Sequence, residues 1–217
     1  MAFDYKKEYR EFYLPGNKPE MIQVPEMIQV PEMKFISVKG TGDPNEEGGA
    51  YKKAIALLYG TAFTIKMSKK GSHQIEGFYD YVVPPLEGFW WQEGIMGFDY
   101  KHKEQLQWIS VIRLPDFVTK EDVQWAVSEA GEKKKQDYSM VEYRTITEGL
   151  CVQMMHIGPF DTEPGSIALM DNYLSEMGYV PDFTDERLHH EIYLSDARKV
   201  EPARWKTVIR HPIRKAD

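Results

Sequence analysis

Residues 150–178, LCVQMMHIGPFDTEPGSIALMDNYLSEMG, read as a strand that stops at a glycine, followed closely by a helix. The apolar run 150–157 is short and bounded by Gly158, the pattern of a buried strand. From Glu163 the period changes. Ile167, Met170, Leu174 and Met177 recur at helical intervals, Pro164 stands near the helix start, and Gly178 is placed to cap its end. Two more strand-like runs follow, HHEIYLSDAR (189–198) and RWKTVIRHPIR (204–214).

Toward the N-terminus the same order occurs once before. KFISVKG (34–40) is a strand ending in glycine. GDPNEEGGAYKKAIALLYGTAFTIKM (42–67) opens with turn residues and puts Ala50, Ala54, Leu57, Leu58 and Ile65 on one helical face. GFYDYVVPPLEG (77–88) and QLQWISVIRLP (105–115) are two further strands. Between the copies, TKEDVQWAVSEAGEKKKQ (119–136) begins with a Thr-x-x-Asp capping pattern and reads as a connecting helix. Each half is strand–helix–strand–strand. The expected fold is α+β, an antiparallel sheet with helices on one face and a central ligand cleft. The expected boundaries are a lead-in over 1–33 and one domain over 34–214, with half one at about 34–115, the connecting helix at about 119–136 and half two at about 140–214. In this register Asp80 falls roughly where Glu191 falls in the second copy. The lead-in carries a tandem hexapeptide, PEMIQV twice over 19–30, too short a period for a solenoid. Its Val-Pro steps favour extended backbone.

Composition narrows the function. The chain has 217 residues, 42% hydrophobic, with a net charge of −7 and no basic block longer than the three lysines at 133–135. Phosphate contacts need a basic surface, so nucleic acid is not an expected partner. No apolar run approaches the length of a membrane span and no signal-peptide pattern opens the chain, so a cytoplasmic protein with no membrane partner is expected. One cysteine, Cys151, excludes an internal disulfide. No His/Cys/Asp/Glu set has a familiar metal-ligand spacing, no phosphate loop is present and no serine sits in a nucleophile elbow. No metal and no cofactor are expected.

The chemistry gathers around Glu191. Strand alternation puts Glu191 and Tyr193 on one side, with His189, and Ile192 and Leu194 on the other. A carboxylate among rings is costly to bury unless it is protonated, hydrogen-bonded or paired. Trp90 and Trp91 follow the strand at 77–88 and, being adjacent, point to opposite faces; one is core and one faces the cleft. Tyr79 and Tyr81 share a strand face, where a ring can stack and a hydroxyl can donate. His156, at the end of its strand, completes the candidate ligand-binding set. The loop 91–104 carries Met96, Phe98 and Tyr100 between glycines, as binding loops often do and as exposed spacers also do.

GFYDYVVPPLEGFWW, LQWISVIRLPDFVTKED and EIYLSDAR together resemble the GyrI-like small-molecule-binding family, in its stand-alone bacterial branch. The resemblance runs from Lys34 to Arg214. It implies the duplicated strand–helix–strand–strand fold and places the family's central glutamate on Glu191. It also implies one of two activities. One is hydrolysis of electrophilic cyclopropane rings in genotoxic natural products, with Glu191 catalytic; Tyr193, a catalytic candidate because it shares the Glu191 strand face, would polarise the substrate carbonyl. The other is non-catalytic sequestration of planar hydrophobic or cationic drugs, Glu191 supplying charge and the rings cation–π contact. A third reading, inhibition of DNA gyrase by charge mimicry, is weaker, since −7 over 217 residues is not extreme. The oligomeric state is not legible.

Overall fold

The computed structural model describes residues 2–15, 25–95, 97–98 and 101–216. In chain order the elements are α1 (Tyr5–Glu8), α2 (Arg10–Tyr13), β1 (Glu26–Thr41), α3 (Ala50–Met67), β2 (Leu86–Gln92), β3 (Leu106–Arg113), α4 (Lys120–Lys134), β4 (Glu142–Ile157), α5 (Glu163–Met177), β5 (Tyr179–Pro181), β6 (His189–Tyr193) and β7 (Lys206–Lys215). The strand–helix–strand–strand order therefore occurs twice, the second copy with the short β5 added after its helix. The pairs β1–β3, β2–β6, β6–β7, β4–β7 and β5–β7 are all antiparallel, and the fold is α+β.

The chain divides into two compact units. The first comprises Met1–Glu8, Met33–Leu86 and Gln92–Ile146; the second comprises Tyr9–Glu32, Glu87–Trp91 and Thr147–Asp217.

In the first unit, β1 from Met33 onward pairs with β3 in the register Phe35↔Arg113 to Thr41↔Gln107. Helix α3 buries Tyr51, Ala54, Leu57, Leu58, Thr61, Ala62 and Ile65, and Tyr51 meets the Trp108 ring edge-on at 5.2 Å. The stripe matches the helical period, except that Ala50, the first helical residue, is exposed. Helix α4 opens with the anticipated capping box: Thr119 Oγ1 accepts from the Asp122 backbone, and the Asp122 carboxylate accepts from the Thr119 backbone. Each bond satisfies a helix-end donor that has no intrahelical partner.

The segment 77–85 is not the strand that its aromatic alternation suggested. Pro84 and Pro85 remove two backbone donors, and the regular strand β2 starts only at Leu86. Before it, Tyr81 makes an isolated parallel bridge to Phe3, with Val82 N–H donating to Phe3 O at 2.7 Å.

In the second unit β2, β6, β7 and β4 lie side by side, with β5 joining β7 near its C-terminal end. Helix α5 packs Met170 and Leu174 on Val152, Met154, Ile209 and Ile213. Burying four to six such side chains is worth roughly 1.5–3 kcal/mol each before chain entropy is charged. Gly178 ends α5 at φ 73°, ψ 35°, a left-handed cap that glycine adopts without strain, and its N–H closes on Leu174 O and Ser175 O. Met177, one position earlier, is exposed and outside the buried stripe. Strands β1 and β4 are both longer than their apolar runs. In β1 the strand begins at Glu26, inside the second hexapeptide copy. The first copy, 19–24, lies outside the described residues, as do Met96 and Tyr100 of the loop after Trp91.

Candidate functional site

Strand register in the second unit sorts its polar residues onto two faces. Directly opposed residues on antiparallel strands project to the same side. Met154, Ile209, Glu191 and Gly88 form one such row, and His156, Thr207 and Tyr193 form the next. His189 opposes Trp90 on the same face. This is the face that α5 covers, because Met154 and Ile209 belong to the core under α5.

Glu191 on this face is 9% exposed and well bonded. His189 Nε2 lies 2.9 Å from Glu191 Oε1, and His189 Nδ1 lies 2.7 Å from His211 Nε2. Burial and the neighbouring His189 hold His211 neutral, well below the usual imidazole range. A carboxylate only accepts, so the chain of donors runs from His211 to His189 to Glu191. From the first turn of α5, Glu163 reaches the same carboxylate. Glu163 is 3% exposed, and its carboxyl is held well above the ordinary range by burial first and then by the charge and hydrogen bond of Glu191. Two carboxylates in contact in a dry place cannot both ionise freely.

Beside this cluster stands an aromatic wall. Trp90 Nε1 donates to Tyr193 Oη at 2.8 Å. A Cβ on Gly88 would lie 2.6 Å from Trp90 Nε1 and 3.0 Å from Tyr193 Oη, so glycine opposite Glu191 is what lets the two rings meet. Phe160 meets the Tyr193 ring edge-on at 5.8 Å.

The opposite face of β6 holds a second cluster, which the sequence did not announce. His190 Nδ1 and Nε2 lie 3.0 Å from Glu148 Oε2 and 3.0 Å from Glu87 Oε2. Arg210 donates to Glu148 Oε1 at 2.8 Å, to Gln153 Oε1 at 2.9 Å and to the Phe12 carbonyl at 2.8 Å. Burial opposes the charge on Glu148, but His190 and Arg210 together hold its carboxyl down to about 2. Phe89 stacks on His190 at 4.0 Å.

Of the residues singled out in the sequence, Glu191, Tyr193 and Trp90 come together. Trp91, next along β2, projects from the other side of the strand. His156 shares the Tyr193 row, and its ring engages Ser166 Oγ at 2.9 Å, Pro159 O at 3.1 Å and Thr162 Oγ1 at 3.2 Å, holding the turn that opens α5. Tyr79 and Tyr81 belong to the first unit. There the Tyr79 hydroxyl bonds that of Tyr5 at 3.0 Å, and both rings pack on Phe117. Asp80, expected to mirror Glu191, is a surface residue paired with Lys69 at 2.8 Å. Arg198 is bound to Asp196, and Cys151 is fully buried with its thiol pushed up to about 12. Glu163 and His211 were not anticipated: they lie 28 and 20 residues from Glu191, and only helix packing and strand register bring them to it. Glu163, His189 and Glu191 each offer an atom that could ligate a metal, all within 4.8 Å of one another.

Among the described residues no helix is long and apolar enough to cross a membrane. Comparison with solved structures finds close likenesses from Listeria innocua. A protein described as a hydrolase is 43% identical, with a TM-score of 0.86 over 98% of this chain and all of that one. An uncharacterized conserved protein is 47% identical, with a TM-score of 0.89 over 98% and 100% of the two chains. A second protein described as a hydrolase is 46% identical, with a TM-score of 0.88 over 99% and 100%. No curated protein matches the chain. The model of the GyrI-like small molecule binding domain matches residues 23–214, nearly the whole length. The chain belongs to the GyrI-like small molecule binding domain family.

Proposed function

We propose that the protein binds a planar, hydrophobic small molecule against Trp90 and Tyr193, over the Glu191 carboxylate, and hydrolyses electrophilic cyclopropane rings at that place. The observation that carries the reading is the setting of Glu191: a nearly buried carboxylate oriented by His189 at 2.9 Å, with a hydrogen-bonded Trp–Tyr pair on the same strand face. The hydrolase descriptions of two relatives at 43% and 46% identity support it.

In this reading Glu191 takes a proton from water as the water oxygen bonds to the cyclopropane carbon. The ring C–C bond breaks, its electron pair moves into the conjugated carbonyl, and that oxygen takes up a proton. Tyr193, whose oxygen accepts the Trp90 indole N–H, polarises the carbonyl. General-base assistance of this kind contributes roughly 10²–10⁴-fold. The step requires no cofactor.

The test is incubation with a duocarmycin-like cyclopropane, following addition of one water by mass spectrometry. Turnover is expected from the wild type and a loss of about a hundredfold or more from Glu191→Gln. Equal turnover by Glu191→Gln removes the carboxylate from the reaction. Ligand recovered intact from the wild type, with tryptophan fluorescence quenched by cationic dyes and the quenching weakened in Glu191→Gln, assigns the protein to sequestration instead.

A further inference from the structure

The contact between Glu163 and Glu191 has a chemistry of its own, apart from any organic ligand. Two carboxylates and an imidazole present their ligating atoms within 4.8 Å of one another, Glu163 from the start of helix α5 and His189 and Glu191 from strand β6. We infer that Glu163, His189 and Glu191 form a binding site for one divalent transition-metal ion, with His211 as its outer support.

Four observations carry this. The donor set is one nitrogen and two carboxylates, which suits Zn²⁺ or Mn²⁺; the all-oxygen shells of Ca²⁺ and Mg²⁺ do not include an imidazole. His189 meets Glu191 through Nε2 while its Nδ1 is bonded to His211 Nε2 at 2.7 Å. A metal on Nε2 requires both rings to switch tautomer, so that His189 Nδ1–H donates to His211 Nε2; a metal-bound histidine characteristically has its second nitrogen fixed by such a bond. Glu163 Oε1 is buried with no hydrogen-bond partner, although Glu163 is only 3% exposed. A buried acceptor without a donor is an uncommon expense in a folded protein, and it sits here on a member of the donor set itself. Finally, three protein ligands leave a coordination position for water, and Glu191 is the least buried of the three, with its side chain 11% exposed.

The inference shares Glu191 with the reaction proposed above but does not rest on it, because its readouts are the ion and the imidazole rings. Metal-free protein is titrated with ZnCl₂ and with MnCl₂ by calorimetry, in a buffer that does not chelate. One ion per chain is expected. Affinity should fall by more than a hundredfold in His189→Gln and in Glu163→Gln, and by roughly 10–100-fold in His211→Gln, which removes only the outer support. Circular dichroism checks that each variant is folded. A measurement on the unaltered chain covers the case in which a variant fails to fold. Substoichiometric Mn²⁺ should broaden the ring resonances of His189 and His211 before those of His73 and His102, which pair with carboxylates elsewhere. No binding at millimolar metal overturns the inference. So does binding that Glu163→Gln and His189→Gln leave unchanged, or broadening confined to His73 or His102.

Discussion

Arg210→Met tests whether the buried network on the far side of β6 supports the second unit. The substitution keeps an unbranched side chain but removes donors to Glu148, Gln153 and the Phe12 carbonyl, at 2.8, 2.9 and 2.8 Å. Arg210 is 1% exposed and Glu148 8%, so water cannot replace those donors. Two routes give the size of the effect. The Glu148 carboxyl is lowered from 4.5 to about 2, a net ~3 kcal/mol that remains after burial has opposed the attraction of His190 and Arg210. Removing one partner of a buried ion pair generally costs about 3–5 kcal/mol. A loss of ~3 kcal/mol should lower the melting temperature by roughly 6–12 °C for a chain of this size. Urea unfolding followed by circular dichroism measures it, and the Glu148→Gln/Arg210→Met double variant should show coupling of at least ~1 kcal/mol. A loss below ~1 kcal/mol, the range of exposed pairs, would refute the reasoning. The pH dependence has a definite sign. Glu148 is depressed in the folded chain, so its stabilisation is complete above about 4.5 and is lost as pH falls through about 2. His190 is buried, which opposes its charge, but Glu148 and Glu87 raise it above 6.5; its stabilisation is complete below 6.5 and is lost as pH rises through the raised value. The network is at full strength between about 4.5 and 6.5, and stability should decline on both sides.

Two further outcomes follow from close contacts. Gly88→Ala puts a methyl 2.6 Å from Trp90 Nε1 and should break the Trp90–Tyr193 bond, costing roughly 1–3 kcal/mol and shifting tryptophan emission; an unchanged spectrum and midpoint would refute the packing. Cys151, 0% exposed with its thiol pushed up to about 12, should resist aromatic disulfide reagents in native buffer and react fully in denaturant; rapid native labelling would contradict its burial.

The duplicated element order was legible because strand and helix periods are local. The α5 stripe at Met170 and Leu174, the Gly178 cap and the Thr119 capping box each depend on residues within a few positions of one another. The strand expected over 77–88 failed for a reason also local: Pro84 and Pro85 outweighed the aromatic alternation before them, and regular pairing starts at Leu86. Between Trp90 and Trp91 alternation alone could not choose. The β2–β6 register decides, because Trp90 opposes His189 and so shares the Glu191 face.

By itself the sequence determined the α+β class, the strand–helix–strand–strand order of each half and the family, and it singled out Glu191 as a carboxylate on a strand face beside Tyr193. Only the tertiary structure decided that carboxylate's surroundings. Glu163 reaches Glu191 because α5 lies over the β6–β7 face, and His211 reaches His189 because β7 runs antiparallel to β6. One residue away, His190 turns to the other face and is locked between Glu87 and Glu148, 103 and 42 positions distant. Periodicity fixes which side of a strand a residue occupies, whereas charge, burial and proton sharing depend on which distant strand or helix arrives on that side.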